Sequence, residues 1–184
     1  DVYKRQYIQN VTVITQGTPV TVTASSTFSV NAQETNPRGI TFNNDGTKMF
    51  IVGTTGADVN EYTLSTGFDL SSTVTFVDSF SVSAKESGPT AVKFNTDGTK
   101  MFITGVSSSN VHEYALSTGF DVSTASFTQT LVTTVDNDNF GLDFNNDGTK
   151  MYITGNQTDS IYEFNLSSAF DISTATLNQS KYLN

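Results

Sequence analysis

The chain has 184 residues, no cysteine and a formal net charge of −9. The length suffices for one domain with a buried core, and the lack of cysteine excludes disulfides and thiolate metal sites. The negative charge opposes binding to phosphate backbones and to anionic membrane surfaces, so no nucleic-acid partner is predicted. No apolar run approaches the ~20 residues needed to cross a bilayer, so no membrane insertion is predicted either.

The N-terminal residues, 1–26, do not carry the motif that fills the rest of the chain. They are predicted to form a β-like extension or a degenerate partial copy of the repeated unit. Residues 1–6 match nothing that follows and resemble the translated end of a sequencing adaptor, so we expect an artefact there and a fragment of a longer protein. The alternative interpretation is a short basic arm before the first strand. Residues 27–30 (Thr-Phe-Ser-Val) echo residues 79–82 (Ser-Phe-Ser-Val) and are predicted to be the last strand of a preceding unit.

Residues 27–184 are built from a repeated unit. The motif Phe-Asn-[Asn/Thr]-Asp-Gly-Thr-Lys-Met-[Phe/Tyr]-Ile begins at Phe42, Phe94 and Phe144, with starts 52 and 50 residues apart. A glutamate follows each of these phenylalanines by 19 residues and opens a second motif, Glu-[Tyr/Phe]-x-Leu-Ser, which leads to Phe-Asp. Constant spacing within a period near fifty indicates one supersecondary unit that is repeated along the chain.

Each unit is predicted to form four antiparallel strands, because alternation and β-branched residues dominate and helical periodicity is absent. The Asp45-Gly46 pair is predicted to supply the left-handed positions of a hairpin turn. The predicted strands of the first unit are 39–43, 48–53, 59–65 and 74–82. Four antiparallel strands in about fifty residues are typical of one propeller blade.

The sequence therefore predicts an all-β fold made of β-propeller blades. Three complete four-stranded antiparallel blades are expected at about 37–82, 89–134 and 139–184, with part of a preceding blade, and residues 1–26 are the extension or degenerate partial blade. Three blades form an open arc or incomplete propeller, since closed propellers have about four to eight. An open arc exposes apolar sheet faces, so self-association through open blade edges is predicted.

The Asn-Asp-Gly-Thr-Lys-Met-Phe-Ile pattern resembles the strand-turn-strand segment of YVTN-type and related bacterial β-propeller repeats. Its continuation, Glu-Tyr-x-Leu-Ser-[Ser/Thr]-[Gly/Ala]-Phe-Asp, is similar to repeats frequent in environmental bacterial and phage sequences. The resemblance covers about residues 27–184 and implies a propeller fold. It does not imply one activity, because propellers host enzymes, lectins and adaptors alike.

The densest group of carboxylates is Asp136 and Asp138, with Asp143 nearby. Calcium prefers oxygen ligands of this kind, so calcium binding is one interpretation and a solvated acidic loop is the other. The run from Asp143 also matches the first half of an EF-hand loop, but its twelfth position is Thr154 rather than Glu, which favours a hairpin turn. No other cofactor is predicted.

A glutamate and a lysine recur in every unit, as Glu61, Glu113 and Glu163 with Lys48, Lys100 and Lys150. A ring of carboxylates can bind cations, but recurrence in every blade favours a cross-strand ion pair. His112 is the single histidine. One histidine excludes a multi-histidine metal site or a histidine-based triad within this chain, and His112 is predicted to be a surface residue.

The connections between blades and the loops between second and third strands vary among the units, while the Asp-Gly pair of the turn and the Thr-Lys pair after it stay constant. Variation over a constant frame is how a scaffold acquires specificity, so the ligand is predicted to bind these loops. The predicted ligand is a carbohydrate or another polar surface, such as a protein epitope. The predicted ligand-binding residues are Glu34, Arg38, Asp58, Glu86, Asp136, Asp138, Phe140 and Asp159.

Two functions are compatible with this pattern. The first is a non-enzymatic binding or structural propeller, such as a cell-surface or phage-tail adhesion module, because no unique catalytic constellation is present. The alternative is a lactonase-like hydrolytic propeller with a carboxylate-bound metal in the central channel. The acidic, Ser/Thr-rich composition is typical of extracellular, cell-surface or virion proteins, which is the predicted location.

Overall fold

The computed structural model describes residues 26–182, which form three antiparallel sheets of four strands each. The first sheet comprises β1 (Pro37–Phe42), β2 (Lys48–Gly53), β3 (Asp58–Leu64) and β4 (Val74–Ser81). The second sheet comprises β5 (Pro89–Phe94), β6 (Lys100–Gly105), β7 (Val111–Leu116) and β8 (Ala125–Leu131). The third sheet comprises β9 (Asn139–Phe144), β10 (Lys150–Gly155), β11 (Ser160–Leu166) and β12 (Ala175–Tyr182). Neighbouring strands in each sheet follow chain order. The predicted fold class, an all-β chain of propeller blades, is confirmed. The predictions for residues 1–25 lie outside the described residues.

Helical structure is minimal in the described part of the chain. Within residues 26–182 it consists of two three-residue 3₁₀ segments, Val122–Thr124 and Ile172–Thr174. No helix in this range is long and apolar enough to span a bilayer.

The three blades stack side by side through their inner strands. β1 packs against β5, and β5 packs against β9, whereas β4, β8 and β12 lie at the outer edges of their sheets. We call the face that a blade turns toward the following blade its trailing face, and the opposite one its leading face. Successive side chains of a strand point to opposite sides, so each strand contributes to both faces.

The hydrophobic core lies between the blades. On the trailing face of the first blade, Phe50 and Val52 form one buried cluster with Met101 and Ile103 of the second blade. The ring centroids of Phe50 and Phe94 are 4.5 Å apart. The second and third blades repeat this contact, with a centroid distance of 4.7 Å between Phe102 and Phe144. Both faces of the second blade are apolar because each is covered by a neighbour.

Each blade has two turns at the same end, and they pack together. Gly46 has φ 72° and is covered by the ring of Phe68, which donates its backbone N–H to the Gly46 carbonyl at 3.0 Å. The other blades repeat this pair as Gly98 with Phe120 and Gly148 with Phe170. Only the glycine of each Asp-Gly pair is left-handed, so the prediction is wrong for the aspartate. Asp45 instead accepts the N–H and hydroxyl of Thr47, at 3.0 Å and 2.6 Å.

A lysine–glutamate pair ties each blade to the next. Lys48 Nζ lies 2.7 Å from Glu61 Oε1 and also donates to the carbonyl of Phe120 in the second blade at 2.6 Å. The other oxygen of Glu61 accepts the N–H of Val122 at 3.0 Å. We call this arrangement of ion pair and neighbouring turn the inter-blade clamp. The predicted cross-strand ion pair is confirmed, and the structure adds its contact with the next blade.

The inter-blade clamp recurs between the second and third blades. Lys100 pairs with Glu113 at 2.9 Å and donates to the carbonyl of Phe170 at 2.8 Å. In the third blade Lys150 pairs with Glu163. Glu163 also accepts hydrogen bonds from two side-chain amides of β12. Its side chain is 15% exposed, against 3% for Glu113, because no described residue of a further blade covers it.

Residues 27–30 are not part of a strand in the described structure, so the strand predicted there is not observed. Phe28 nevertheless packs edge-on against Tyr62, with ring centroids 5.6 Å apart. Phe80 of β4 packs on Tyr114 of the second blade in the same way, at 5.5 Å. On the first blade, Phe28 therefore occupies the place that Phe80, from the outer strand of the first blade, occupies on the second blade.

We predict that Glu61→Gln destabilises the chain by roughly 2 kcal/mol or more, because the change leaves Lys48 without its carboxylate inside an interface. Glu163→Gln is the matched control, since it removes the same ion pair at a more exposed position, and a smaller loss is expected there. Urea denaturation measures both free energies of unfolding. Equal losses at the two positions would contradict a stabilising role for the contact with the next blade.

Candidate functional site

The stacked blades present two ends. The turn face carries the Asn-Asp-Gly turns, and the loop face carries the connections between blades and the loops between second and third strands. The loop-face segments are residues 31–36, 54–57, 82–88, 106–110, 132–138 and 156–159. All eight predicted binding residues lie in these segments or at the first residues of the strands that follow them.

Three of the predicted residues, Glu34, Glu86 and Asp136, occupy equivalent positions and are buried. Each carboxylate accepts the backbone N–H two residues further along the chain and two backbone N–H groups of the loop after the second strand. For Glu86 these donors are Gly88 at 2.8 Å and Ser107 and Ser108 at 3.0 Å. Each carboxylate thus holds an inter-blade connection and a loop together.

The same donors fix the charge of these groups. Burial by itself raises the pKa of Glu34 and Asp136, but the N–H donors, and for Asp136 the Thr158 hydroxyl, outweigh burial and lower both pKa values. Both side chains are therefore ionised at neutral pH, with their lone pairs directed at the protein's own donors. This is the environment of structural groups. The predicted residues left for ligand contact are Arg38, Asp58, Asp138, Phe140 and Asp159.

Two of these residues lie at a β-bulge near the start of an inner strand. The pairing of each inner strand with its neighbour slips at the second residue. The residues left without a pairing partner are Arg38, Thr90 and Phe140. Bulges re-aim side chains and are frequent next to functional sites. The bulge exposes Arg38 and Phe140 at equivalent positions of the loop face, whereas Thr90 is buried and donates to the Asn139 carbonyl at 2.9 Å.

Phe140 and Asp159 line one pocket of the third blade, with a volume of about 340 Å³. The other lining residues are Thr154, Gly155 and Asn156. Asp138 lies beside it, because it accepts a hydrogen bond from the Asn156 amide at 3.0 Å. An aromatic ring next to amide, hydroxyl and carboxylate groups suits a ligand that is rich in hydroxyl groups.

Arg38 and Asp58 are not part of this pocket. Arg38 lines a separate, apolar pocket of about 320 Å³ on the leading face of the first blade. Asp58 opens β3 and is half-buried. The structure therefore brings Asp138, Phe140 and Asp159 together and places the other two predicted residues on a different blade.

The calcium candidates are not brought together. Asp136 directs its oxygens at backbone N–H groups, whereas Asp143 lies at the turn-face end of β9 and pairs with Lys93 at 3.3 Å. Among residues 26–182, no group of three or more His, Cys, Asp or Glu side chains is arranged to hold a metal ion. The described contacts therefore do not support a calcium site at Asp136, Asp138 and Asp143.

A polar pocket of about 300 Å³ on the turn face is absent from the sequence-based predictions. It lies between the second and third blades, where Lys93 pairs with Asp143. Between the first two blades the Asn44 amide donates to the Thr96 carbonyl at 2.8 Å. Thr96 itself has no amide to make the same contact with the third blade. The signal in the sequence is the replacement of Thr41 by Lys93 and Asp143 in the later units.

His112 is buried, so the prediction that it is a surface residue is wrong. Its Nε2 lies 2.9 Å from the Ser108 hydroxyl and its Nδ1 lies 2.9 Å from the Thr130 hydroxyl. The Ser108 hydroxyl also donates to Glu86 at 2.7 Å. A catalytic triad requires the carboxylate on the histidine, and here it contacts the serine instead. The arrangement is a buried hydrogen-bonded chain that joins the loop to the strands.

The third blade has an equivalent hydroxyl bridge, and the first blade lacks one. The Thr158 hydroxyl donates to Asp136 at 2.5 Å and lies 2.7 Å from the Tyr162 hydroxyl. In the first blade Gly56 stands at the position of the bridging hydroxyl. Asn60, which stands where the other blades have His112 and Tyr162, has a buried amide nitrogen with no hydrogen-bond partner in the described part of the chain.

Comparisons with known proteins agree with the fold. No protein-family model matches the chain, and no curated protein matches it in sequence. A solved structure of a protein from Lactobacillus plantarum matches with a TM-score of 0.58 and 15% identity, over 79% of this chain and 41% of that one. A periplasmic gluconolactonase of Pseudomonas aeruginosa matches with a TM-score of 0.53 and 12% identity, over 79% of this chain and 38% of that one. A β-propeller domain of Myceliophteria thermophila matches with a TM-score of 0.51 and 12% identity, over 79% of this chain and 42% of that one. At these identities the likeness shows the propeller fold alone. The chain spans about two fifths of the length of these structures.

We predict that Gly56→Ser stabilises the chain by about 1 kcal/mol, since the new hydroxyl can bridge Glu34 and the Asn60 amide as Ser108 does in the second blade. A Cβ at this position lies 3.1 Å from the flexible side chain of Asp58, and the backbone is not left-handed. Gly56→Ala is the control, because it changes the backbone equally without adding the hydroxyl. If the two variants have the same melting temperature, the bridge does not stabilise the fold.

The stability of the chain is expected to fall as the pH drops below about 6.5, in part because of His112. Burial lowers the pKa of His112; the Glu86 carboxylate opposes this shift, and Lys85 adds to it. The unfolded chain then binds a proton more readily than the folded one. The contribution of neutral His112 to stability is therefore complete at pH values above the pKa of this histidine in the unfolded chain. It is lost as the pH falls toward the lower pKa of His112 in the folded chain.

The His112→Asn variant removes the pH-dependent contribution of the histidine to stability. Asparagine is chosen because the first blade has Asn60 at the equivalent position. Melting temperatures of both proteins at about pH 7.5 and about pH 5.5 provide the test, because these values bracket the usual pKa of histidine. The wild type is expected to lose more on acidification than the variant. An equal loss would show that His112 does not couple folding to protons.

Proposed function

We propose that the chain is a non-enzymatic binding propeller whose loop face recognises a carbohydrate or another polar, hydroxyl-rich surface. The observation that carries the proposal is the pocket that Phe140 and Asp159 line, next to a bulge that exposes the Phe140 side chain. A concave site with an aromatic wall and a few convergent polar groups is the usual form of a small-ligand site.

The chemistry of the pocket supports a sugar-like ligand. The Phe140 side chain is 41% exposed although it is a large apolar group, so its ring is available for stacking on the C–H face of a sugar. The Asn156 amide and the Asp159 carboxylate can donate to and accept from hydroxyl groups. Burial of the ring by a ligand would also remove apolar surface from water, which favours binding.

The surrounding backbone is constant while the side chains differ. The loops between second and third strands contain one left-handed residue each: Ala57, Ser109 and Asp159, with φ of 52°, 55° and 49°. The carboxylates of Glu34, Glu86 and Asp136 hold these loops in place. Of the three left-handed residues, Ala57 is buried and Asp159 is exposed, so the fixed loop of the third blade offers the Asp159 side chain to a ligand.

The proposal extends to the setting of the protein. We propose that the repeats are of the YVTN type and that the protein acts outside the cell, on a cell surface or on a virion, as an adhesion module that needs no cofactor. The repeat motif and the acidic, Ser/Thr-rich composition support this setting.

A glycan array with purified protein tests the proposal. Phe140→Ala and Asp159→Asn are each expected to weaken binding at least tenfold, which corresponds to about 1.4 kcal/mol. Asn146→Ala on the turn face is the control and should bind as the wild type does. If a ligand is found and only the turn-face change weakens its binding, the site lies in the pocket next to Lys93 and Asp143.

A lactonase-like hydrolytic propeller is the second candidate. The similarity to a gluconolactonase of known structure motivates it, although the likeness concerns the fold. Hydrolysis of gluconolactone by the purified protein, followed by the release of acid, is the direct assay. Activity that Asp138→Asn or Asp159→Asn abolishes, with the melting temperature unchanged, would replace the binding proposal with this one.

A further inference from the structure

Among residues 26–182, no residue covers the inner half of the leading face of the first blade. Ile40 of β1 is 54% exposed, whereas the residues at the same register position, Val92 and Leu142, are 1% and 4% exposed. Ile40 lines the apolar pocket that also contains Arg38, Met49 and Leu70. In the later blades the side chains that fill this space come from the trailing face of the blade before.

The trailing face of the third blade is the matching surface. Phe50 and Phe102 point from the trailing faces of the first two blades and are completely buried. Tyr152 occupies their position in the third blade and is only half-buried, and Thr154 next to it is exposed. Within the described part of the chain, Tyr152 thus lacks the aromatic partners that Phe50 and Phe102 have.

The first blade has the aromatic partners that Tyr152 lacks. Phe94 and Phe120, with ring centroids 5.3 Å apart, receive Phe50 between the first two blades. The rings of Phe42 and Phe68 form the same pair in the first blade, 5.4 Å apart. Phe68 is 62% exposed because no described residue fills that place.

The polar groups match in the same way. Lys48 and Glu61 complete the inter-blade clamp with the carbonyl of Phe120 and the N–H of Val122. In the third blade Lys150 and Glu163 form the same ion pair without such a turn. The equivalent groups of the first blade are the carbonyl of Phe68 and the N–H of Leu70, which lie at the edge of the uncovered face.

We propose that a second copy of this chain docks head to tail, with the trailing face of its third blade on the leading face of the first blade. The occupant is chosen because each open surface carries the residues that the other lacks, in the register that the two internal interfaces already use. Phe28 fills the outer part of the leading face. By register Lys181 of the docked copy corresponds to Phe80 and would meet Phe28 at this place, so the contact is proposed for the inner strands and excludes the end of β12.

Docking of this kind also completes the candidate binding site. Between the second and third blades the Asn139 amide donates to the Ser109 carbonyl at 2.8 Å. The equivalent residues at the new contact are Pro37 of one copy and Asp159 of the other, and Pro37 has no amide with which to repeat this hydrogen bond. Arg38, which follows Pro37, then lies at the rim of the pocket that contains Phe140 and Asp159. This consequence rests on the proposed function, whereas the contact itself does not.

The test is the mass of the intact chain in solution by size-exclusion chromatography with light scattering. At high micromolar concentration we expect twice the 19.9 kDa of one chain or a multiple of it. Ile40→Glu removes the leading face and Tyr152→Glu removes the trailing face, so each variant should be monomeric. Val132→Glu, at an apolar residue that is 70% exposed, should associate as the wild type does.

Mixing the two variants makes the test specific. A head-to-tail contact leaves one intact interface in an equimolar mixture of Ile40→Glu and Tyr152→Glu, so dimers should reappear. A wild type that stays monomeric overturns the proposal, as does a mixture that stays monomeric while the wild type associates. Loss of association in Val132→Glu would point to unspecific apolar aggregation instead. No ligand enters the measurement, so its outcome is independent of the glycan array.

Discussion

The inter-blade clamp is the interaction on which the rest of the structure depends. A glutamate as buried as Glu61 needs a cation and further donors, since an unpaired charge in an interior is strongly unfavourable. Lys48 provides the cation from the same blade, and Val122 provides an N–H from the next one. The second oxygen of Glu61 thus obtains its donor from the neighbouring blade. Stacking therefore contributes to the stability of the first blade, as neighbour interfaces do in other repeat architectures.

A second set of buried carboxylates holds segments of the chain together at the loop face of the blades. Glu34, Glu86 and Asp136 collect backbone donors from the connection that enters a blade and from its central loop. The two ends of each blade are therefore held by different ion and hydrogen-bond networks. Because neither network involves the bulge residues, the positions of Arg38 and Phe140 are free to vary without loss of the frame.

The fold was predictable from the sequence because the same motif occurs three times, and in each copy the alternation of apolar residues and the Asp-Gly turn indicate the same strands. The site was only partly predictable. Glu86 is acidic, lies in a variable loop and belongs to the predicted binding residues, but its donors Ser107 and Ser108 are distant in sequence, and only the fold shows that they enclose it. His112 is misjudged for the same reason. Phe140 and Asp159 are predicted together because their loops differ visibly from those of the other blades.

The candidate site and the open trailing face share residues, so the proposed ligand binding and the proposed assembly concern one surface. Thr154 lines the pocket with Phe140 and also stands at the position from which Val52 reaches into the second blade. A ligand that contacts both copies at such a junction binds the assembled form more tightly than the separate chains. By thermodynamic reciprocity it then favours association by the same factor. Specificity and assembly would in this way depend on one surface, the trailing face of the third blade next to the pocket that Phe140 and Asp159 line.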